Sequence, residues 1–421
     1  MKCRICGGKT TEYLNLGEQP PSDAFLTAEQ LGQEEAVYPL IVEYCPNCSL
    51  SQLNYVVPPE ILYNDEYPYE TRMNTEGIRH FRGMAETLTN RFKPDYVVDI
   101  GSNDGTLLEG FECNVFGIEP VMEIALKASV PTINDFLSAY SVDQALIYGG
   151  KADIITACNV FAHVDNLHGF MKLVDRMLKE DGVFVIEAPY LPDMIDDLAF
   201  DTIYHEHLSY LSIKPLVNLF LQYDMEIFDV EHFDVHCGTM RYYVARKGVY
   251  EFSSAVDRYF ENEMAYHDPD VLDDFQIEVS LFRYKIRYFL SSLKDEGKTI
   301  VGVSSPAKGN TLLNYCGIDT TILDYITEKS PLKIGKYTPG SHIKIVPDSR
   351  LIEDQPDYAV ILAHNWSDQI KNSLKDFRGR WITANEQGLK DLCSGTQRTC
   401  GECDCTGTKT ERVHECCGVQ S

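Results

Sequence analysis

The sequence predicts an α/β protein, in which a short metal-binding module precedes two doubly wound parallel-sheet domains. Three observations lead there. Apolar runs at 96–100, 115–118, 153–157 and 183–187 alternate with stretches of helical periodicity, the pattern of strands joined by crossover helices. A strand that enters a small-residue loop and then helix-forming residues occurs twice, at 97–108 and at 299–313. Two Cys-x-x-Cys pairs lie near the N-terminus. At 421 residues the chain exceeds the size of one hydrophobic core, so two or three domains are expected. The boundaries read as 1–75, 76–245, 296–388 for the three folded units, with connecting helices over 246–295 and a Cys-rich tail over 389–421.

The first unit is defined by Cys3-x-x-Cys6 and Cys45-x-x-Cys48. Each pair sits in a turn of small residues, so four thiolates can converge on one tetrahedral Zn²⁺ while knuckle N–H groups point at sulfur. No open coordination position is implied, and the site reads as structural. The alternative is four free buried cysteines. The segment Tyr63 to Arg72 follows, with Tyr67 and Tyr69 flanking Pro68. Its phenols could line a pocket or pack as a surface loop.

The second unit opens with a helix over about 76–93, where Ile78, Phe81, Met84, Ala85 and Leu88 recur at helical spacing. Val97-Val98-Asp99-Ile100 then enters Gly101-Ser102-Asn103-Asp104-Gly105, and Thr106-Leu107-Leu108 is expected to open a helix. About 20 residues past Asp99, the next strand ends in Gly117-Ile118-Glu119. Glycines let the backbone approach a ligand, and Glu119 at the strand tip can accept hydrogen bonds from both hydroxyls of a ribose. The loop lacks G-x-G-x-x-G spacing, which disfavours a pyrophosphate on a helix N-terminus. S-adenosylmethionine fits better, with Asp99 and Asp104 turned to its cationic amino-acid end. The cofactor set is then Asp99, Gly101, Ser102, Asn103, Asp104, Gly105 and Glu119, with Asn159 after the 153–157 strand. An ordinary tight βα turn is the plain alternative.

His163 lies four residues beyond Asn159, at the expected cofactor mouth, and Glu187-Ala188-Pro189-Tyr190 follows the 183–187 strand at the same edge. Tyr204-His205-Glu206-His207 concentrates two imidazoles, a carboxylate and a phenol in four positions. Its His-x-His could hold a metal on a strand, serve acid–base chemistry with an oriented imidazole, or simply cap a helix. It is not H-E-x-x-H, which excludes a helical zincin site.

The third unit begins at Thr299, and its loop Ser304 to Gly309 could offer N–H groups and Lys308 to a phosphate. It lacks G-K-[ST], so NTP hydrolysis is not expected. Further strands are expected at 322–326 and 358–362. Cys393, Cys400, Cys403, Cys405, Cys416 and Cys417 lie in a polar tail that cannot build a core; a second metal site there stays open.

A net charge of −27 argues against nucleic acid as a partner. No apolar run reaches membrane-spanning length and the N-terminus has no signal-peptide core, so a cytoplasmic protein with no membrane partner, and a monomer, is expected.

Taken together, the paired knuckles, Gly101 to Leu108, Glu187 to Tyr190 with Tyr204 to Tyr210, and Pro306-Ala307-Lys308-Gly309-Asn310-Thr311-Leu312-Leu313 resemble the sugar C-methyltransferases. Pro339-Gly340 adds a fifth match, and the resemblance covers about residues 1–388 in the right order. These enzymes act on nucleoside-diphosphate keto-deoxysugars. The resemblance implies a zinc-binding N-terminal domain, a central Rossmann-like S-adenosylmethionine methyltransferase domain and a C-terminal Rossmann-like domain, with the sugar nucleotide between them. It implies His207 as general base, with Glu206 and Tyr204 positioning it or touching the sugar, and His163 and Tyr69 completing the catalytic pocket. Tyr67, His205, Lys308 and Asn310 are the implied substrate contacts. The methylated carbon would be C3 or C5, next to the ketone. The rival readings are an inactive scaffold that keeps the binding sites, an enzyme with another nucleotide cofactor, and a metalloenzyme at His205 and His207.

Overall fold

A computed structural model describes residues 1–63, 70–73, 75–233 and 238–395, with backbone only at 73 and 391–395. Tyr67 and Tyr69, the His236-Cys237 pair and the tail cysteines from Cys400 onward lie outside the described residues.

The central sheet has seven strands. In spatial order they are Thr132–Asn134, Asn114–Glu119, Tyr96–Ile100, Ala152–Cys158, Leu178–Pro189, Thr239–Arg246 and Met225–Phe233. The first five are parallel and the last two antiparallel to their neighbours. The strand order reverses between Tyr96–Ile100 and Ala152–Cys158, which opens a crevice at their carboxyl ends. Alternation along Tyr96–Ile100 explains why helices cover both faces. Val97 packs with Met84, Ala85 and Leu88 of helix Thr75–Phe92, whereas Val98 and Ile100 join Phe170, Met171 and Val174 of helix Leu167–Met177.

The expected helix at Thr106–Leu108 does not form. A single 3₁₀ turn, Leu108–Gly110, takes its place. The chain must re-enter the sheet at Asn114, and Thr106 Oγ1 is turned back onto Asp104 Oδ1 at 2.5 Å, so no room remains for further turns.

The C-terminal sheet is wholly parallel, in the order Ile345–Pro347, Ile326–Glu328, Ile300–Val303, Tyr358–Ile361, Arg380–Thr383. Its second strand starts four residues after the expected 322, because Ile322 and Leu323 are buried in the preceding turn and pairing with Gly302 and Ile345 sets the register at Ile326. The 246–295 region breaks into Ser254–Glu263 and Pro269–Asp295, where Asp268 caps the second helix and Pro269 occupies its first position.

The N-terminal module carries a four-stranded antiparallel sheet: Thr11–Gln19, Tyr38–Tyr44, Ser51–Leu53 and then Ser209–Tyr210. The fourth strand belongs to the segment that bears His207. One apolar core joins Leu14, Val42 and Leu53 of this sheet to Phe200, Ile203 and Leu208, to Phe275, Val279 and Phe282 of the long helix, and to Leu312 and Leu313. Module, His207 segment and C-terminal domain therefore share one interior.

Candidate active site

The four N-terminal cysteines meet as their spacing predicts. Cys3 Sγ and Cys48 Sγ are 3.3 Å apart, Cys6 Sγ and Cys45 Sγ 3.4 Å, and all four sulfurs lie within 4.8 Å of one another. Tetrahedral zinc with Zn–S near 2.3 Å sets sulfurs about 3.8 Å apart, so the cluster fits that ion with small adjustments. Ile5 N points at Cys3 Sγ at 3.4 Å, and the hydrogen bond from Cys48 holds the Cys3 thiol down at about 5. Among the described residues this is the one such group of potential ligands. Among the described residues His205 and His207 gather no third ligand.

On the central sheet, Gly101 has φ +69°, and a Cβ there would lie 2.3 Å from Val160 Cγ2. Gly105 has φ +79° and Asn103 φ +50°, so the loop takes a path that bulky residues would resist. Glu119 staples this loop: Oε2 accepts from Asn103 N at 2.9 Å, and Oε1 from Val121 N at 2.8 Å. Burial raises its carboxyl, against those two N–H groups. Ser102 Oγ is buried without a hydrogen-bond partner at this loop. Asp104 is committed to protein: Oδ1 takes Thr106, and Oδ2 takes Arg72 N at 2.8 Å. Asp99 accepts Thr156 Oγ1 at 2.6 Å, and burial pushes its carboxyl up to about 7. Asn159, at φ +54°, donates its N–H to the Glu187 carbonyl at 2.7 Å. A close-approach loop, a buried acid at the next strand tip and an orphaned hydroxyl suit a nucleoside cofactor without a pyrophosphate.

Next to it four rings form a chain. The centroids of Tyr204 and His207 are 4.0 Å apart, those of His207 and His163 5.0 Å, and those of His163 and Tyr63 6.2 Å. His207 Nδ1 donates to the Thr202 carbonyl at 2.7 Å, so in the neutral ring Nε2 carries the lone pair. His163 shares a 3.0 Å hydrogen bond between Nδ1 and Tyr63 Oη, and its buried Nε2 has no partner. Burial, then the neighbouring His207, holds His163 well below the usual imidazole range, so it is neutral. Glu206 Oε2 is buried without a partner, and burial with the charge of Asp23 raises its carboxyl to about 8. His205 instead packs on the N-terminal sheet, its Nε2 3.3 Å from the Tyr38 carbonyl and its edge toward the Tyr38 ring.

The C-terminal domain closes this region. Lys333 Nζ donates to the Ser305 carbonyl at 2.7 Å and opposes the burial of Asp23. Asn310 Nδ2 donates to the Ser22 carbonyl at 2.7 Å, while its Oδ1 is buried without a partner. The Lys308 charge acts on buried Asp201, whose Oδ2 is 3.0 Å from His364 Nε2. A cleft of about 1240 Å³ runs between the two parallel-sheet domains, lined by His80, Asn159, Glu187 and Arg241 on one side and His364 and Asn385 on the other. Asn159, Glu187, His364 and Asn385 end or follow parallel strands, so the carboxyl edges of both sheets look into it, while His80 comes from helix Thr75–Phe92 and Arg241 from the antiparallel strand Thr239–Arg246. Sequence reasoning missed Asp23, Glu328 and Lys333, while Tyr63 belongs to the tyrosine segment it singled out. Each of the three is placed by tertiary contact and had no local signal.

Three family profiles match the chain in order: a zinc binding domain over residues 3–63, a methyltransferase domain over 73–230 and a C-methyltransferase C-terminal domain over 234–384. The chain is 30% identical over 397 residues to the C-methyltransferase NovU of Streptomyces niveus, which covers 90% of this chain and 94% of that one. It is similar at 14% identity to an S-adenosylmethionine-dependent methyltransferase of Clostridium acetobutylicum, covering 41% of this chain and 92% of that one with a TM-score of 0.33. It is also similar at 9% identity to the magnesium protoporphyrin IX methyltransferase of Synechocystis, covering 40% and 79% with a TM-score of 0.31. Among the described residues no helix is long and apolar enough to cross a membrane. Zinc in the four-cysteine cluster and S-adenosylmethionine on the central sheet are thus the cofactors, and the chain belongs to the S-adenosylmethionine-dependent C-methyltransferases.

Proposed function

We propose that this enzyme methylates a nucleoside-diphosphate keto-deoxysugar at C3 or C5, the carbon beside the ketone, and that His207 is the base. The observation that carries this reading is the anchored imidazole. His207 Nδ1 is fixed on the Thr202 carbonyl, which orients the buried ring beside neutral His163 and the Tyr204 ring. A carbon next to a ketone is acidic enough for a positioned base to deprotonate, and donors then stabilise the enolate oxygen. Tyr204 and Tyr63 are kept protonated by burial, so both can donate. Bound on the Gly101–Gly105 loop with its ribose on Glu119, S-adenosylmethionine supplies an electrophilic methyl group.

The sugar nucleotide lies between the domains, with Asn310, Lys308 and the Ser304–Gly309 loop toward its diphosphate. Buried Asp23, Glu206 and Asn310 each keep an oxygen without a protein partner, an acceptor set suited to sugar hydroxyls. The similarity to the C-methyltransferase NovU supports transfer of the methyl group to carbon. His205 is held at Nε2 by the Tyr38 carbonyl, and its buried Nδ1 has no hydrogen-bond partner in the protein. The chain works as a monomer, without nucleic acid.

The test is incubation with S-adenosylmethionine and a panel of nucleoside-diphosphate 4-keto-6-deoxyhexoses. Formation of S-adenosylhomocysteine with one added CH₂ on the sugar, mapped to C3 or C5 by NMR, is expected. Methyl transfer to oxygen or nitrogen, or to no member of the panel despite cofactor binding, would overturn the assignment.

A further inference from the structure

Arg4, the residue after the first zinc ligand, has an unusual set of partners. Its side chain is 3% exposed, and none of its three partners is in its own knuckle. Nη1 donates to the carbonyls of Leu53 at 2.9 Å and Leu208 at 3.1 Å, and Nε to Asp165 Oδ1 at 3.0 Å. Leu208 follows His207. Asp165 lies two residues after His163. The two imidazoles that stand 5.0 Å apart therefore sit on segments tied to one guanidinium. The planar fork of Arg suits this task, because its donors point in fixed directions where a Lys ammonium would reach one acceptor at a time.

The surroundings hold Arg4 in turn. Its N–H donates to Gln52 Oε1 at 2.9 Å, and Gln52 Nε2 to the Lys2 carbonyl at 3.1 Å. The knuckle turn is closed by Gly7 N on the Cys3 carbonyl at 2.9 Å. His168 Nε2 meets the Ile5 carbonyl at 2.7 Å, so the knuckle docks onto helix Leu167–Met177 of the central domain. Burying a guanidinium is costly and here leaves Nη2 without a partner. Packing alone would be served by an apolar residue.

We propose that Arg4 is a positioning residue for methyl transfer: from the zinc knuckle it sets the spacing of His163 and His207. This rests on His207 as the base. Zinc acts through the same path, since it fixes the turn from which Arg4 reaches out.

The experiment compares Arg4→Lys and Asp165→Ala with the wild type in the zinc-loaded full chain. Asp165 is 55% exposed, so its variant tests the clamp without disturbing the core. Zinc content, kcat, KM and the ring resonances of ¹³C-labelled histidines are measured. Arg4→Lys should lower kcat by about 10–100-fold, the scale of an ångström-level misplacement, with KM and zinc content unchanged. Asp165→Ala should lower it less, and both should move the His163 and His207 resonances. Unchanged kcat and unmoved resonances in both variants would overturn the proposal. If Arg4→Lys loses zinc or fails to fold, Asp165→Ala decides alone by the same two readouts. Should His207→Ala keep wild-type turnover, the base assignment falls. The resonances then decide whether Arg4 sets the ring spacing.

Discussion

Glu328 holds the place in the C-terminal sheet that Glu119 holds in the central one. Each ends the strand beside its sheet's first strand, and each accepts the N–H of the loop leaving that first strand: Asn103 N reaches Glu119 Oε2 at 2.9 Å, and Ser305 N reaches Glu328 Oε2 at 2.9 Å. Their second oxygens accept from the residues that follow, Val121 N at 2.8 Å in one case, Lys329 N at 2.7 Å and Ser330 N at 3.1 Å in the other. The parallel parts of both sheets also share one strand order. The same carboxylate staple thus appears twice, each time beside a loop without the G-x-G-x-x-G pattern.

The two staples should serve different ligands. A carboxylate oxygen has two lone pairs, so Glu119 can hold the loop and still accept from a ribose. Hydrogen bonds to a charged group are worth about 1.5–3 kcal/mol. Glu119→Ala should therefore weaken S-adenosylmethionine binding by about 10–100-fold, measured by calorimetry. Glu328→Ala should leave that affinity unchanged and raise KM for the sugar nucleotide. Equal cofactor affinity in Glu119→Ala and wild type would remove Glu119 from the cofactor site.

His207→Ala should lower kcat by ~10²–10⁴-fold, the usual worth of a general base. Cofactor binding should persist, because the Gly101 loop and Glu119 stand on the central sheet. Stopped-flow or steady-state assays with the keto-sugar nucleotide check this. Wild-type turnover in the variant would move the base elsewhere, with Glu206 as the next group to test.

Glu206 gives a pH dependence to stability. Its folded carboxyl is raised to about 8 by burial, and by Asp23, from 4.5. Between those values the unfolded chain has lost a proton that the native chain keeps, so native stability falls as pH rises from about 4.5 to about 8. Glu206→Gln removes this titration. It should match the wild type near the low end of that window and be more stable at the high end. Urea unfolding at both ends of the window reads the difference, and a constant offset between the two proteins would show that Glu206 ionises normally.

Local spacing made part of this molecule readable. The Cys3/Cys6 and Cys45/Cys48 pairs, the Gly101–Gly105 loop and Glu119 are each set by residues a few positions apart, and their geometry follows from their types. The apolar runs at 96–100 and 153–157 likewise become the strands Tyr96–Ile100 and Ala152–Cys158. What escaped was set by distant partners. Asp23 comes to act on Glu206 only because the N-terminal module docks there. Ser209–Tyr210 is too short to register as a strand and exists because Ser51 and Gln52 pair with it. The Thr106–Leu108 stretch has helix-forming residues, yet the short path to Asn114 overrides them.

Zinc removal should uncouple cofactor binding from turnover. One zinc per chain is expected, held by Cys3, Cys6, Cys45 and Cys48. The second knuckle is built directly into the sheet: Cys45 N donates to the Leu50 carbonyl at 2.9 Å, and Ser49 N to the Cys45 carbonyl at 2.8 Å. The next residues carry the link to the His207 segment, through Leu53 N on the Leu208 carbonyl at 3.0 Å and the pairing of Ser51 with Tyr210. Structural zinc contributes directly to folding, so its loss should melt this sheet first. One face of the central sheet has its own core around Val97, Ile154 and Val185, which the module does not enter, while Cys3, Ile5, Cys45, Cys48 and Leu50 join the core on the other face. Cys45→Ser, or chelation of the wild type, should therefore cost at least as much turnover as His207→Ala, while calorimetry still registers S-adenosylmethionine binding. Parallel loss of zinc and cofactor affinity would mean that the module supports the central sheet itself. Retained turnover in the zinc-free protein would mean that the knuckles take no part in aligning His207.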